Sequence, residues 1–206
     1  MRSYNEGTMT TFQSFKKIIL QKRRLILTLL ALYPILMQIF ILQTTNLISS
    51  NLTGFGFEQH HVLLLGLLSL DMALFLDLAF VFCQQRSPLA KKLMRLGCLF
   101  LAIGPIIPYG YLSWGAVLSD LHLWISAAGF LLFYAGLNLN ALYLMRLPNL
   151  SGAAGLLNLI AFAAIVTAAF CSSISLLSQL IWMDGVLIIG LLKKALAFNR
   201  SAPHQS

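Results

Sequence analysis

The stretch His61–Phe82 reads HVLLLGLLSLDMALFLDLAFVF and decides the fold class of this chain. A helix that crosses a lipid bilayer needs about 20 mostly apolar residues, and this run has that length. A strand of a membrane barrel would show alternating segments of about 10 residues, and this run does not alternate. Because backbone groups cannot stay unpaired in lipid, the run is predicted to be a transmembrane helix.

The composition extends this prediction to the rest of the chain. Of the 206 residues, 59% are hydrophobic and 10% are charged, whereas soluble domains carry about 25% charged residues. A chain of this length has too small a core to hide so much apolar side chain from water. Lipid is therefore predicted to surround most of it.

Six runs have the length and composition of spanning helices, so the chain is predicted to be all-α, a bundle of six transmembrane helices. The connections between them are short, apart from residues 43–60. The runs are Leu25–Leu42, His61–Phe82, Leu93–Val117, Leu121–Met145, Gly152–Ser172 and Leu176–Leu192.

The positive charges predict the orientation of the bundle. Thirteen of the 14 Lys and Arg residues lie before the first run, between the second and third, between the fourth and fifth, or after the sixth, and Arg95 lies at the start of the third run. Since Lys and Arg stay in cytoplasmic loops, both termini are predicted to be cytoplasmic, in a bacterial plasma membrane. This divides the chain into a cytoplasmic segment (residues 1–24), a transmembrane domain (residues 25–192) and a cytoplasmic tail (residues 193–206).

The net charge of +8 is explained by the same arrangement. Basic residues at the cytoplasmic surface attract anionic lipid by about 1 kcal/mol each. Membrane lipid is therefore a predicted partner, and nucleic acid is not. Phe12, Phe15, Ile18 and Ile19 follow helical spacing among these basic residues, which is typical of an amphipathic segment on the inner leaflet.

Two acids lie inside the opening stretch, at Asp71 and Asp77. Six residues separate them, which is about 120° around a helix and about 9 Å along its axis. They therefore do not share a face, and a catalytic carboxylate pair on this one helix is not predicted. A carboxylate at the bilayer centre costs about 2.5–3.5 kcal/mol, so each should turn toward protein or water.

Each acid has candidate partners at its own depth. Asp184 in the sixth run is level with Asp71, and Asp77 is level with Asn138, Asn140 and Asn158 in the fourth and fifth runs. Asn138 and Asn140 point in opposite directions, so one of them at most faces a given neighbour. Interhelical hydrogen bonding and the binding of an ion, a proton or a substrate both remain open for these residues.

Two further features concern backbone and packing. Pro105 and Pro108 interrupt the third run and free backbone carbonyls that could line a cavity, or they produce a static kink. In the fifth run, small residues repeat four positions apart, at Ser151 with Gly155 and at Ala164 with Ala168, which favours close helix packing.

The predicted outer rim holds aromatic and polar side chains, among them Tyr109, Trp114 and His122. An interfacial aromatic belt explains such residues, and a shallow pocket for a ligand or a lipid headgroup is the alternative, with Tyr109 and His122 in it. No metal site is predicted, because metal-ligand spacing such as HxxH is absent from the sequence. No cofactor is predicted.

Three short motifs accompany this layout: LISSNL (Leu47–Leu52) in the long outer loop, RLG (Arg95–Gly97) at the third run, and SDLH (Ser119–His122) in the turn before the fourth. In these features the chain resembles the FRAG/DRAM/SFK-type six-helix membrane proteins and the related bacterial domain of unknown function. The resemblance implies the six-helix layout and assigns no catalytic residue.

Three classes of function remain. The first is a non-enzymatic membrane protein that senses or organises lipid or a partner membrane protein. The second is a permease for a small molecule, or the substrate-binding subunit of a transporter; the vitamin-binding subunits of energy-coupling-factor transporters look similar in layout. The third, an intramembrane hydrolase, is the least favoured, because no outer His is spaced with a second His or a Ser in a helix.

Overall fold

The computed structural model describes residues 11–58, 60–82, 87–143, 148–171 and 174–198, and within these the chain is all-α with no strand. The prediction of an all-helical protein is therefore confirmed for this part of the chain. The α-helices are α1 (Thr11–Thr44), α2 (Leu52–Glu58), α3 (Val62–Leu76), α4 (Pro88–Ile103), α5 (Tyr111–Tyr143), α6 (Pro148–Phe170) and α7 (Leu176–Phe198).

Three of the described helices contain apolar segments long enough to cross a membrane: Gln21–Thr44, Val62–Val81 and Ser113–Leu142. Two more apolar segments, Ala154–Phe170 and Leu176–Leu192, are shorter. These helices lie where the first, second, fourth, fifth and sixth predicted runs lie.

The first helix is longer than predicted. Residues 11–24 continue into the first apolar run as one helix, Thr11–Thr44. The cause is local: from Thr11 to Tyr33 the sequence has neither Gly nor Pro, and Leu, Ile, Lys and Arg propagate a helix readily. At 1.5 Å per residue the helix is about 50 Å long, more than the roughly 30 Å of hydrocarbon in a bilayer. Residues 1–10 and 199–206 lie outside the described part.

The boundary between the third and fourth predicted runs is wrong. The third run was placed at Leu93–Val117, but α4 begins earlier, at Pro88, and ends at Ile103. A single 3₁₀ turn, Gly104–Ile106, follows, and α5 starts at Tyr111. Ser119–His122, predicted as a turn, is helical.

Proline and glycine explain where the turn really lies. Pro105 and Pro108 lack the backbone N–H that a continuing helix needs. Gly110 has φ 144° and Gly115 has φ 81°, backbone conformations that are easy for glycine and strained for other residues. The chain therefore leaves the helical path between Gly104 and Gly110, and again at Gly115, before α5 continues regularly.

Helices α4 and α5 form the tightest helix pair. A Cβ on Gly97 would lie 2.5 Å from the backbone nitrogen of Phe133, and a Cβ on Gly129 would lie 2.9 Å from that of Leu101. Glycine at these positions lets the two backbones approach closely, as small residues do where helices pack in membrane proteins. Helices α6 and α7 form a second pair, in which Gly185 faces Ile160.

Helix α3 occupies the middle of the bundle. It contacts α1, α2, α4 and α7, and its buried residues include Leu65, Leu68, Met72, Phe75 and Leu76. Phe75 packs against Gly190 of α7. The helix ends in one π-helical turn, Asp77–Val81.

The loop after α1 is attached to the start of α7. The backbone N–H groups of Leu176 and Leu177 donate to the carbonyls of Ser50 (2.6 Å) and Leu47 (3.0 Å). Leu52 N–H donates to the side-chain oxygen of Gln179 at 2.8 Å. These three bonds connect the first third of the chain to its last helix.

Candidate functional site

Asp71 lies on the side of α3 that faces α1. It is half-buried, and its Oδ2 atom is buried without a hydrogen-bond partner among the described residues. The Tyr33 hydroxyl of α1 is close enough to interact electrostatically with this carboxyl, but it donates to the carbonyl of Leu64 at 3.2 Å. An acid with an unpaired buried oxygen is the clearest candidate binding group in the described part of the chain.

Asp184 does not pair with Asp71 as the sequence suggested. Its Oδ1 accepts a hydrogen bond from the Gln38 side-chain amide of α1 at 2.7 Å. The physical reason is that an ionised carboxylate can only accept, whereas a glutamine amide can donate. Depth along the helices made Asp71 and Asp184 look like partners, but the donor for Asp184 comes from the helix beside it.

Asp77 also has a different partner from those predicted. Its Oδ1 lies 3.2 Å from Nε of Arg95 on α4, in a hydrogen-bonded ion pair. The expected partners, the three asparagines Asn138, Asn140 and Asn158, belong to α5 and α6. Because α3 and α4 follow each other and pack together, a long basic side chain on α4 reaches Asp77 at the end of α3.

Arg23 has a role that the sequence analysis missed. Its guanidinium Nη2 donates to the carbonyl of Leu78 and, at 2.8 Å, to that of Ala79. Both carbonyls belong to the π-helical turn that ends α3, where regular helical acceptor pairing stops. The sequence analysis used Arg23 only as one of the charges that predict orientation. An arginine at the end of a predicted span can also donate to the free carbonyls at the end of a neighbouring helix, and its position was the available signal.

Asn138 and Asn158 join α5 to α6. The Asn138 amide donates to Oδ1 of Asn158 at 3.2 Å, and the Asn158 amide donates back to Oδ1 of Asn138 at 2.6 Å. Asn158 also donates to the carbonyl of Ala154 at 3.0 Å. Asn138 is exposed and Asn140 is buried, as expected for two residues that point in opposite directions.

One helical turn from Asn138, Tyr134 makes a second polar connection. Its hydroxyl donates to the carbonyl of Leu157 on α6 at 3.1 Å and accepts from the indole N–H of Trp182 on α7 at 3.1 Å. Phe130 contacts both rings in tilted orientations, with centroid distances of 4.6 Å to Tyr134 and 6.0 Å to Trp182. Polar side chains therefore connect α5, α6 and α7, although no sequence motif marks their positions.

The two rim residues singled out in the sequence, Tyr109 and His122, do lie together. Their rings are 5.2 Å apart, and the His122 Nδ1–H donates to the carbonyl of Ile107 at 2.9 Å. Nearby, the buried Ser119 hydroxyl accepts from Gly110 N–H at 3.1 Å and donates to the carbonyl of Gly115 at 2.9 Å. These bonds fix the irregular backbone between α4 and α5.

The candidate residues therefore lie in separate places: Asp71 and Asp184 toward α1, Asp77 beside α4, the asparagines between α5 and α6, and Tyr109 with His122 at the turn. Within the residues that the structure describes, no group of three His, Cys, Asp or Glu side chains could hold a metal ion. No family model, curated protein or solved structure matches this chain.

Proposed function

We propose that this chain is an integral membrane protein of six spans with both termini in the cytoplasm of a bacterium. The spans are α1, α3, α4, α5, α6 and α7, with the short α2 on the outer side. Three contain apolar segments of spanning length, α6 and α7 contain shorter ones, and α4 with its 3₁₀ turn adds Pro88–Ile106. The basic residues at alternate helix ends support this orientation. The FRAG/DRAM/SFK-type proteins, which the chain resembles, have the same six-helix layout.

Labelling of introduced cysteines tests this topology. Asn51→Cys, in a variant without the three native cysteines, is expected to react with a membrane-impermeant maleimide from outside intact cells. A cysteine introduced at Lys22 is the control, because it should react only after the membrane is opened. Labelling of Asn51→Cys only after permeabilisation would contradict the orientation.

We further propose a non-enzymatic role, in which the protein organises membrane lipid or a partner membrane protein. The observation that carries this proposal is that polar side chains of the apolar helices bond to one another across helices. Gln38 pairs with Asp184, Asn138 with Asn158, and Tyr134 with Trp182. Side chains used in this way hold helices together, as interhelical hydrogen bonds do in membranes.

Asp71 favours a second candidate function, a permease for a proton or a small cation. Its buried Oδ2 has no partner among the described residues, and acids inside membrane segments often form ion or proton pathways. The test is flux of H⁺ or Na⁺ into vesicles that contain the purified protein. Transport that Asp71→Asn abolishes and Asp77→Asn retains would support the permease; no flux in wild-type vesicles would support the organising role.

A further inference from the structure

Helix α5 turns most of its apolar length away from the rest of the chain. In its most apolar window 17% is buried, against 28% for the segment Gln21–Thr44 and 44% for Val62–Val81. For a helix that faces lipid such exposure is ordinary. It becomes informative because the exposed side also carries a polar residue, Asn138.

The Asn138–Asn158 pair lies at the surface, inside the two apolar segments Ser113–Leu142 and Ala154–Phe170. Asn158 uses both amide hydrogens, on Asn138 and on Ala154. Asn138 donates one hydrogen and accepts one, so a second amide N–H and a second lone pair have no partner among the described residues. In hydrocarbon no water can satisfy them.

Small residues border this pair. Ala135 and Gly155 each precede their asparagine by three residues and are exposed, and a Cβ on Gly155 would meet no atom within 4 Å. Larger exposed side chains lie beyond them, at Leu131, Leu142 and Phe162. We call the surface formed by these five residues and the two asparagines the amide face. Small residues at its centre would let another helix come close.

We propose that the amide face is the contact between two copies of this chain, related by a twofold axis near Asn138. A primary amide is complementary to itself, because each copy can donate its unused N–H to the oxygen of the other. A twofold contact places the same residue on both sides, which suits this chemistry. The inference rests on the proposed membrane location and identifies the partner that the organising role requires.

Two substitutions test the face, and the first leaves the bonds between α5 and α6 in place. Gly155→Leu fills open space in one copy and should block close approach of the second. Ala163→Leu is the matched control, since Ala163 is also exposed on α6 but lies about 140° around the helix from Asn158. Asn138→Leu removes the amide itself.

The measurement is stepwise photobleaching of the labelled full-length protein in vesicles of phosphatidylethanolamine and phosphatidylglycerol. Wild type and Ala163→Leu are expected to dimerise equally. Gly155→Leu and Asn138→Leu should dimerise more weakly, by about three- to twenty-fold for each interhelical hydrogen bond lost. A monomeric wild type, or a Gly155→Leu variant that dimerises normally, would overturn the inference.

Cysteine cross-linking in native membranes keeps the inference testable if Asn138→Leu does not fold. Ala135→Cys, in the cysteine-free variant, should form a self-linked dimer on oxidation, whereas Ala163→Cys should not. If Ala135→Cys cross-links to a different protein and forms no self-linked dimer, the partner is not a second copy of this chain. A chain washed from membranes at alkaline pH would overturn the membrane location, whereas a retained but monomeric chain would overturn only the contact.

Discussion

At the scale of single residues, the polar side chains of this protein show that depth along the predicted spans is a poor guide to hydrogen-bond partners. Asp71 and Asp184 were matched by depth, yet the amide of Gln38 is the donor that Asp184 uses. Asp77 bonds to Arg95, a residue that the sequence did not indicate as its partner. Which helices lie side by side decided both cases, and for Gln38 and Asp184 the order of helices along the chain does not give that.

The Gln38–Asp184 bond provides a prediction at this scale. Gln38→Leu removes the donor and leaves a partly buried carboxylate without it, so the free energy of unfolding should fall by about 1–3 kcal/mol. Gln43→Leu is the control, because Gln43 is an exposed glutamine on the same helix. Thermal denaturation in detergent, followed by size-exclusion chromatography, measures the difference. Equal midpoints for the two variants would contradict a stabilising role for the bond.

Among the helices and turns, the sequence identified the apolar runs well and their ends poorly. Five of the predicted runs coincide with described helices that contain apolar segments of the expected kind. The turn between α4 and α5 was misplaced because hydropathy continues through Gly104–Gly110 without interruption. The turn is marked only by the backbone limits of Pro105, Pro108 and the two glycines, which hydropathy does not register.

The small-residue prediction for the fifth run shows the same limit. The spacing of Ser151 with Gly155 predicts close helix packing without naming the partner, and Gly155 lies exposed, whereas Gly97 and Gly129 lie at a close contact between α4 and α5. The spacing of small residues predicts which face of a helix allows close packing, but it does not identify the helix that packs there.

Helices α4 and α5 should separate if a side chain is added at their contact. In Gly97→Val the new Cβ would lie 2.5 Å from a backbone atom of Phe133, and backbone cannot rotate away. A loss of about 3 kcal/mol in the free energy of unfolding is expected, at the upper end for overpacked sites. Gly66→Ala is the control, because its Cβ would meet Ile106 at 3.8 Å, an ordinary contact. Normal detergent stability of Gly97→Val would contradict the described packing.

The hydrogen bonds that Arg23 donates at the end of α3 should stabilise the Asp77–Val81 turn more than the positive charge of Arg23 does. Arg23→Gln removes two bonds to the carbonyls that end α3, so the amides of the Asp77–Val81 turn should exchange hydrogen faster. Arg24→Gln removes the same charge from an exposed neighbour and should leave their exchange unchanged. Mass spectrometry of exchanged peptides gives the comparison. Equal exchange in both variants would assign Arg23 to orientation alone.

At the scale of the whole molecule, α3 is the helix around which the others are arranged. It contacts four other helices, whereas α6 packs mainly against α7 and α5. Local opening is costliest where most apolar contacts must break. We therefore expect amide hydrogens of α3 to exchange more slowly than those of α6 in detergent. Exchange in α6 as slow as in α3 would contradict a central position for α3.

The bonds between the loop after α1 and α7 have a consequence for biogenesis. Leu52 and its acceptor Gln179 are 127 positions apart, and the acceptor is synthesised after five of the six proposed spans. Until the ribosome has delivered α7, the loop at Leu47–Leu52 lacks the neighbours that fix its backbone. A nascent chain stalled before α7 would thus present this loop to membrane proteases, and release of the last helix would be the event that protects it.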